Sequence, residues 1–185
     1  MSKLTVFNSV SVDGYFTDTK GDMSWAHQND PEWQDFTRQN VSGEDGVLLF
    51  GRVTYEMMAG YWPTPQAKTQ FPEVADRMNS GQKVVFSRSL NKADWNNTRL
   101  IKNDLPGEVR RLKSGAQDMV ILGSGTIVSQ LAQENLIDQY QLIVNPIVLG
   151  DGRTLFDGMK NQLRLKRVAS RTFKNGNVLL TYEPA

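Results

Sequence analysis

The chain has no cysteine and a single histidine, His27. No disulfide framework can be built from it, and nothing in it needs an oxidising compartment. An excess of charge of either sign is missing too. Its 21 Lys and Arg face 20 Asp and Glu, for a formal charge of +1, so bulk electrostatics favour neither nucleic acid nor an anionic membrane surface as a partner. No apolar run approaches the ~18 residues that a membrane span requires. The opening Met-Ser-Lys-Leu-Thr-Val-Phe enters a strand pattern directly, without the layout of a secretory signal. The cytoplasm is the default location on these grounds. Repeats, linkers and low-complexity segments are likewise absent. The 185 residues are read as one domain, able to bury roughly 70% of its unfolded surface. No spaced acidic cluster points to a metal site.

What is present is a set of strand–turn–helix junctions. The most informative is Gln117–Val128. An apolar run, Met119 to Leu122, reads as a buried strand, breaks at Gly123-Ser124-Gly125-Thr126, and restarts as an amphipathic helix through Leu131. Such a turn presents free backbone N–H groups at a helix N-terminus, where a phosphate can sit. It is also how any α/β protein reverses direction. A second junction, Val47 to Glu56, places Gly51, Arg52 and Thr54 where a helix begins. A third, Lys83 to Arg88, ends a short strand in Ser87 and Arg88. A fourth, Ser9 to Tyr15, ends the first strand at Asp13-Gly14. Junctions carrying Gly, Ser or Thr, and Arg at separate strand ends point to one extended anionic ligand lying across them. The pattern is not an ordinary dinucleotide-binding fingerprint, because Val128 stands at its third glycine and no acidic residue follows about 20 positions on.

The remaining elements follow from periodicity and punctuation. A first strand covers about Leu4–Val10, followed by a long loop from Ser11 to Asp30. Asp30-Pro31 reads as an N-cap and first turn opening a helix to about Asn40. Strand Gly46–Phe50 and helix Val53–Gly60 come next. Two prolines make Trp62–Pro65 irregular. Helix Pro72–Met78, strand Lys83–Phe86, strand Arg99–Lys102 and helix Leu105–Lys113 follow, then the glycine turn with its helix and strand Asp138–Val144. Leu163–Phe173 and Val178–Tyr182 flank Lys174-Asn175-Gly176-Asn177, a strong hairpin signal. The expected fold is α/β, a three-layer α-β-α arrangement whose mixed sheet ends in an antiparallel hairpin.

The ordered motifs resemble the dihydrofolate-reductase-like superfamily, in particular the branch of the riboflavin-biosynthesis reductase domain, as a stand-alone member. The residues that carry this span nearly the whole chain. They are Ser11-x-Asp13-Gly14 with Gly21-x-x-x-Trp25, Gly51-Arg52-x-Thr54-Tyr55-Glu56, Val85-x-Ser87-Arg88, Gly123-Ser124-Gly125, Leu136-Ile137-Asp138, and Asn145-Pro146-x-x-Leu149-Gly150-x-Gly152-x-x-Leu155-Phe156. The resemblance implies an NADPH-dependent reductase of a small heterocyclic substrate, similar to 5-amino-6-(5-phosphoribosylamino)uracil reductase or dihydrofolate reductase. The other function class is a non-catalytic ligand-binding protein that retains the fold. A zinc-dependent deaminase activity, the companion of this reductase in bifunctional riboflavin proteins, needs a His/Cys ligand set that this composition cannot supply.

By the resemblance, Gly51, Arg52, Thr54, Ser87, Arg88, Gly123, Ser124, Gly125 and Thr126 hold NADPH, with Arg52 and Arg88 near its 2′-phosphate, whose oxygens suit guanidinium forks. On any surface, the ordinary fate of such arginines is a carboxylate partner. Asp13 is the catalytic candidate, as a substrate-binding or proton-relay carboxylate; Asp-Gly is equally a common turn. Gly14 and Trp25 lie in the loop on the substrate side. Asp30, Glu32 and Asp35 fall where dihydrofolate reductases place a pterin-binding carboxylate, with Asp30 also a cap. Trp25, Trp33, Tyr61 and Trp62 stand in segments expected to face the cleft, either stacking on a heterocycle or packing the core. His27 receives no role. Gly123-Ser124 replaces the Gly-Gly pair of dihydrofolate reductases, whose peptide is cis; a cis bond before serine would cost about 3 kcal/mol. Members of this branch are often dimeric, so a homodimer is expected, with Asp138–Val144 and the C-terminal hairpin pairing across a two-fold axis.

Overall fold

Short apolar runs bounded by Gly, Ser and Asn become the strands of one central sheet. The computed structural model describes residues 2–26, 30–40 and 46–185; His27 lies outside them. In chain order the elements are β1 (Leu4–Ser11), β2 (Tyr15–Thr17), α1 (Pro31–Asn40), β3 (Val47–Gly51), α2 (Arg52–Tyr61), α3 (Pro65–Gln70), α4 (Pro72–Ser80), β4 (Gln82–Phe86), β5 (Thr98–Ile101), α5 (Leu105–Lys113), β6 (Met119–Leu122), α6 (Gly125–Gln133), β7 (Gln139–Asn145), β8 (Arg153–Thr154), β9 (Leu165–Thr172) and β10 (Val178–Pro184). The main sheet runs β5-β4-β3-β6-β1-β7-β10-β9. Its first six strands are parallel, and β10 turns antiparallel to both β7 and β9. A separate two-stranded ribbon joins β2 to β8.

Parallel strands covered on both faces need apolar residues at successive positions, and β3, β4 and β6 have them. Val47, Leu49, Val84, Met119 and Ile121 enter one core with Val109 of α5 and Ile127, Val128 and Leu131 of α6. Leu48, Phe50, Val85 and Leu122 enter the other with Tyr55 of α2 and Met78 of α4. Helices thus lie on both faces, giving the expected three layers. Among the described residues no helix is long and apolar enough to cross a membrane, and no cluster of His, Asp or Glu could hold a metal ion.

Several local expectations are sharpened. Asp30 caps α1, its Oδ1 accepting from the Trp33 amide at 2.8 Å. The segment after Trp62 is shorter as an irregular stretch than its prolines imply. Thr64 accepts from the Ala67 amide, and Pro65, preset for a first helical turn, opens α3. Asn175-Gly176 does turn the β9–β10 hairpin, with Gly176 at φ +89°.

One buried cation ties this frame together. Lys83, 1% exposed, donates to the carbonyls of Met78 (2.8 Å), Asn79 (3.3 Å) and Gly81 (2.6 Å) at the end of α4. Its Nζ also lies 4.5 Å from the Trp95 ring centroid. Burial pulls its pKa down to about 8. The three carbonyls and the ring face act in the other direction, favouring the ammonium form.

Candidate active site

The C-terminal ends of β5, β4, β3 and β6 lie side by side in the sheet, so the turns that follow them open at one edge. They line a single cleft of about 950 Å3. Gly51, Arg52, Thr54, Ser87, Arg88, Ser124, Gly125 and Thr126 all belong to its wall. Residues far apart in sequence are thus brought together as the spacing of the junctions implied.

The two glycine turns are bonded to each other. Ser124 Oγ accepts from the Gly51 amide at 2.8 Å and donates to the Leu122 carbonyl at 3.1 Å. The Ser124 amide donates to Thr54 Oγ1 at 3.1 Å. Asn8 of β1 donates from Nδ2 to the Gly123 carbonyl at 3.1 Å. The Gly123–Ser124 peptide is trans. The chain turns instead through two left-handed residues, Gly123 at φ +59° and Ser124 at φ 63°, ψ 50°. A Cβ on Gly123 would stand 2.7 Å from Thr54 Oγ1. The glycine is therefore required by a close approach inside the protein, and Gly123 is not among the residues that line the cleft.

The cations differ in how they are held. Arg52 is paired with Glu56 on the next turn of α2, Nη1 to Oε2 at 2.8 Å, both about half exposed. Arg88 and Lys102 are exposed cleft residues with no ion pair among the described residues. Ser87 Oγ accepts from the Ser89 and Leu90 amides at 3.2 and 3.0 Å, holding the turn that presents Arg88. Lys102 follows β5 as Ser87 follows β4. It escaped the sequence reading because no glycine or serine marks that strand end. Also unforeseen were Arg153 and Thr154 of β8, Phe16 of β2, and Val53 and Met57 of α2. Val53 and Met57 are 58% and 48% exposed, and they form an apolar strip one helical turn apart.

The substrate-side candidates are placed differently from expectation. Asp13, Gly14 and Trp25 are not in the cleft wall. The Asp13 carboxylate accepts from Ser11 Oγ (2.6 Å) and from the amides of Leu149 (3.1 Å) and Gly150 (2.7 Å). Led by the Ser11 hydrogen bond, these donors hold its pKa below the usual carboxylate value. An ionised group so engaged fastens the β1 loop to the loop after β7, and it has no proton to give. Trp25 donates to the Asp22 carbonyl at 3.2 Å. Trp33 is a core residue, packed with Phe36 and Phe173. Tyr61 and Trp62 pack on one another and, through Trp62, on Phe71, away from the cleft. Glu32 accepts from Arg171 and from the Lys174 amide, and Asp35 pairs with Arg38; neither reaches the cleft wall.

Residues 2–179 match the family model of the RibD C-terminal domain. The chain belongs to that family. A curated relative, the uncharacterized protein YyaP of Bacillus subtilis, is 29% identical over 176 residues, covering 94% of this chain and 90% of its own. Two solved structures share the fold. A putative riboflavin biosynthesis protein from Shewanella sp. PV-4 is 21% identical with a TM-score of 0.75, covering 99% of both chains. A dihydrofolate reductase from Enterococcus faecalis, in complex with NADP(H), is 15% identical with a TM-score of 0.64, covering 98% of this chain and 96% of that one. The RibD C-terminal architecture is thus that of a dihydrofolate-reductase-like mixed sheet, as the motif order implied.

Proposed function

We propose that the protein is an NADPH-dependent reductase of a small heterocyclic substrate, the class to which 5-amino-6-(5-phosphoribosylamino)uracil and dihydrofolate belong. The observation that carries this reading is the single cleft onto which the Gly51 and Gly123–Gly125 turns open together with Arg88, Ser87 and Lys102. Exposed cations with no carboxylate partner among the described residues, beside a hydroxyl, suit the oxygens of a 2′-phosphate. Membership of the RibD C-terminal domain family points the same way. The cofactor supplies the hydride when bound; this chain's tasks are to bind it, orient it and shape the substrate end. Val53 and Met57 offer a flat heterocycle an apolar surface, the use expected of exposed apolar residues in a cleft. With Asp13 committed to three donors, the proton on the reduced product comes from water.

Loss of absorbance at 340 nm, followed with a panel of dihydropterins and aminouracils, tests the activity. NADPH consumption with at least one of them is the expected result. NADPH binding without consumption would favour the ligand-binding reading.

We also propose a homodimer. Strand Asp138–Val144, expected to pair across the two-fold, is instead β7, held between β1 and β10. The hairpin's β9 ends the sheet with one edge unpaired among the described residues and its residues largely exposed, Val168 among them at 45%. Such edges are normally covered. Light scattering at micromolar concentration should give twice the 20.9 kDa chain mass; the mass of one chain would contradict the proposal.

A further inference from the structure

We propose that Arg153 is a further binding residue of this cleft, contacting the diphosphate of the dinucleotide from the side of the glycine turns away from Arg88, and that Asp13 is the positioning residue that holds it there. The proposal rests on the NADPH reading above.

Arg153 is exposed and lines the cleft, and its guanidinium makes no hydrogen bond or ion pair among the described residues. Several arginines elsewhere are held by carboxylates, as Arg99 and Arg111 are by Glu108 and Arg110 is by Glu134. Asp157, one turn further and also in the wall, is not within 4 Å of Arg153. A free guanidinium facing a cleft has its hydrogen-bonding fork available to an anion. The placement of β8 points to which anion. Arg88 and Lys102 follow β4 and β5 on one side of the β3 and β6 turns, while the separate β2–β8 ribbon lies against Gly125 through Phe16 and the Thr154 carbonyl. The 2′-phosphate and the diphosphate are the two anionic parts of NADPH. With the first assigned to Arg88 and Lys102, and Arg52 already paired with Glu56, Arg153 is the unpaired cation left for the second.

A two-residue strand cannot hold itself in place, so β8 depends on its anchors. The Thr154 carbonyl lies against Gly125, where a Cβ would stand 3.2 Å from it. At Gly152, φ +155°, a Cβ would be 2.2 Å from the Thr17 carbonyl, so only glycine lets β8 close on β2. The third anchor is Asp13, through the Leu149 and Gly150 amides at the start of the same loop. The Val12 amide adds a bond to the Ile147 carbonyl at 2.8 Å. Asp13 therefore acts through backbone three residues before Arg153, without touching the ligand.

Calorimetric titration of wild type, Arg153→Gln, Asp13→Asn and the double variant with NADPH, NADH and 2′-AMP tests both assignments. Arg153→Gln should weaken NADPH and NADH alike, by about tenfold, and leave 2′-AMP unchanged. Arg153→Lys should recover part of the loss. Asp13→Asn should weaken both dinucleotides, with the double variant no worse than Arg153→Gln alone, because coupled residues are not additive. A loss confined to NADPH and 2′-AMP would place Arg153 at the 2′-phosphate and overturn the proposal. Unchanged dinucleotide binding would overturn it too, as would weakened competition by ribose 5-phosphate alone, which would assign Arg153 to a phosphate on the substrate. Additive losses in the double variant would overturn the role of Asp13. Wild type that binds neither dinucleotide would overturn the NADPH reading and this proposal together.

Discussion

Gly123→Ala is expected to lower the thermal midpoint by roughly 4–20 °C, using about 2–4 °C per kcal/mol for a chain of this size. Two costs combine. Alanine at φ +59° loses about 1–2 kcal/mol relative to the right-handed region. Its Cβ would also meet Thr54 Oγ1 at 2.7 Å and Cγ2 at 3.0 Å, and overpacking of this kind typically costs about 1–3 kcal/mol. Thr54 is 8% exposed and cannot swing into solvent without releasing the Ser124 amide. The two sources separate in a double variant. Thr54→Ala removes both clashing atoms but leaves the Ser124 amide without its acceptor, a loss of about 1–3 kcal/mol by itself. Gly123→Ala with Thr54→Ala should therefore be less destabilised than the sum of the two single changes. Strict additivity in thermal unfolding would show that the approach to Thr54 is not what makes the glycine necessary.

Arg88→Ala is expected to weaken NADPH by about 10- to 100-fold, the equivalent of one charge-assisted hydrogen bond of about 1.5–3 kcal/mol. NADH, lacking the 2′-phosphate, should lose little. Arg88 is the better test of this pair of arginines because no carboxylate among the described residues is paired with it. Arg52 must leave Glu56, a half-exposed i,i+4 pair that contributes no more than about 0.5 kcal/mol. Arg52→Ala should accordingly show the same direction with a somewhat smaller loss. Calorimetry with both cofactors on each variant reads the difference. Equal weakening of NADPH and NADH would assign the arginines to the diphosphate or to the fold.

The parallel half of the sheet was legible because its strands carry their own punctuation. Val47–Phe50 stops at Gly51, Lys83–Phe86 at Ser87 and Met119–Leu122 just before Gly123-Ser124, and Gly51, Ser87 and Ser124 at those stops became part of the cleft wall. Asn175-Gly176 announced the hairpin for an equally local reason, since a left-handed turn needs such residues. What stayed hidden depends on contacts between distant parts of the chain. The partners of Asp13 are 136 and 137 positions away, so its spacing after Ser11 could not distinguish a relay from an anchor. The β2–β8 ribbon is too short to leave a period of two in either segment, and with it Arg153 escaped notice. Whether Trp33 stacks in the cleft or packs the core stayed open in the sequence because the helix pattern does not say which face Phe173 will cover. Lys102 was missed for want of a glycine beside it, although its strand was found.

The proposed selection of a dinucleotide by its 2′-phosphate is tested most directly by titration of the wild-type protein with NADPH and with NADH, side by side at one salt concentration. Two cations, Arg88 and Lys102, without an ion pair among the described residues predict at least tenfold tighter binding of NADPH, and a preference that shrinks as salt is raised. Equal affinities, or no binding of either at millimolar concentration, would contradict the account.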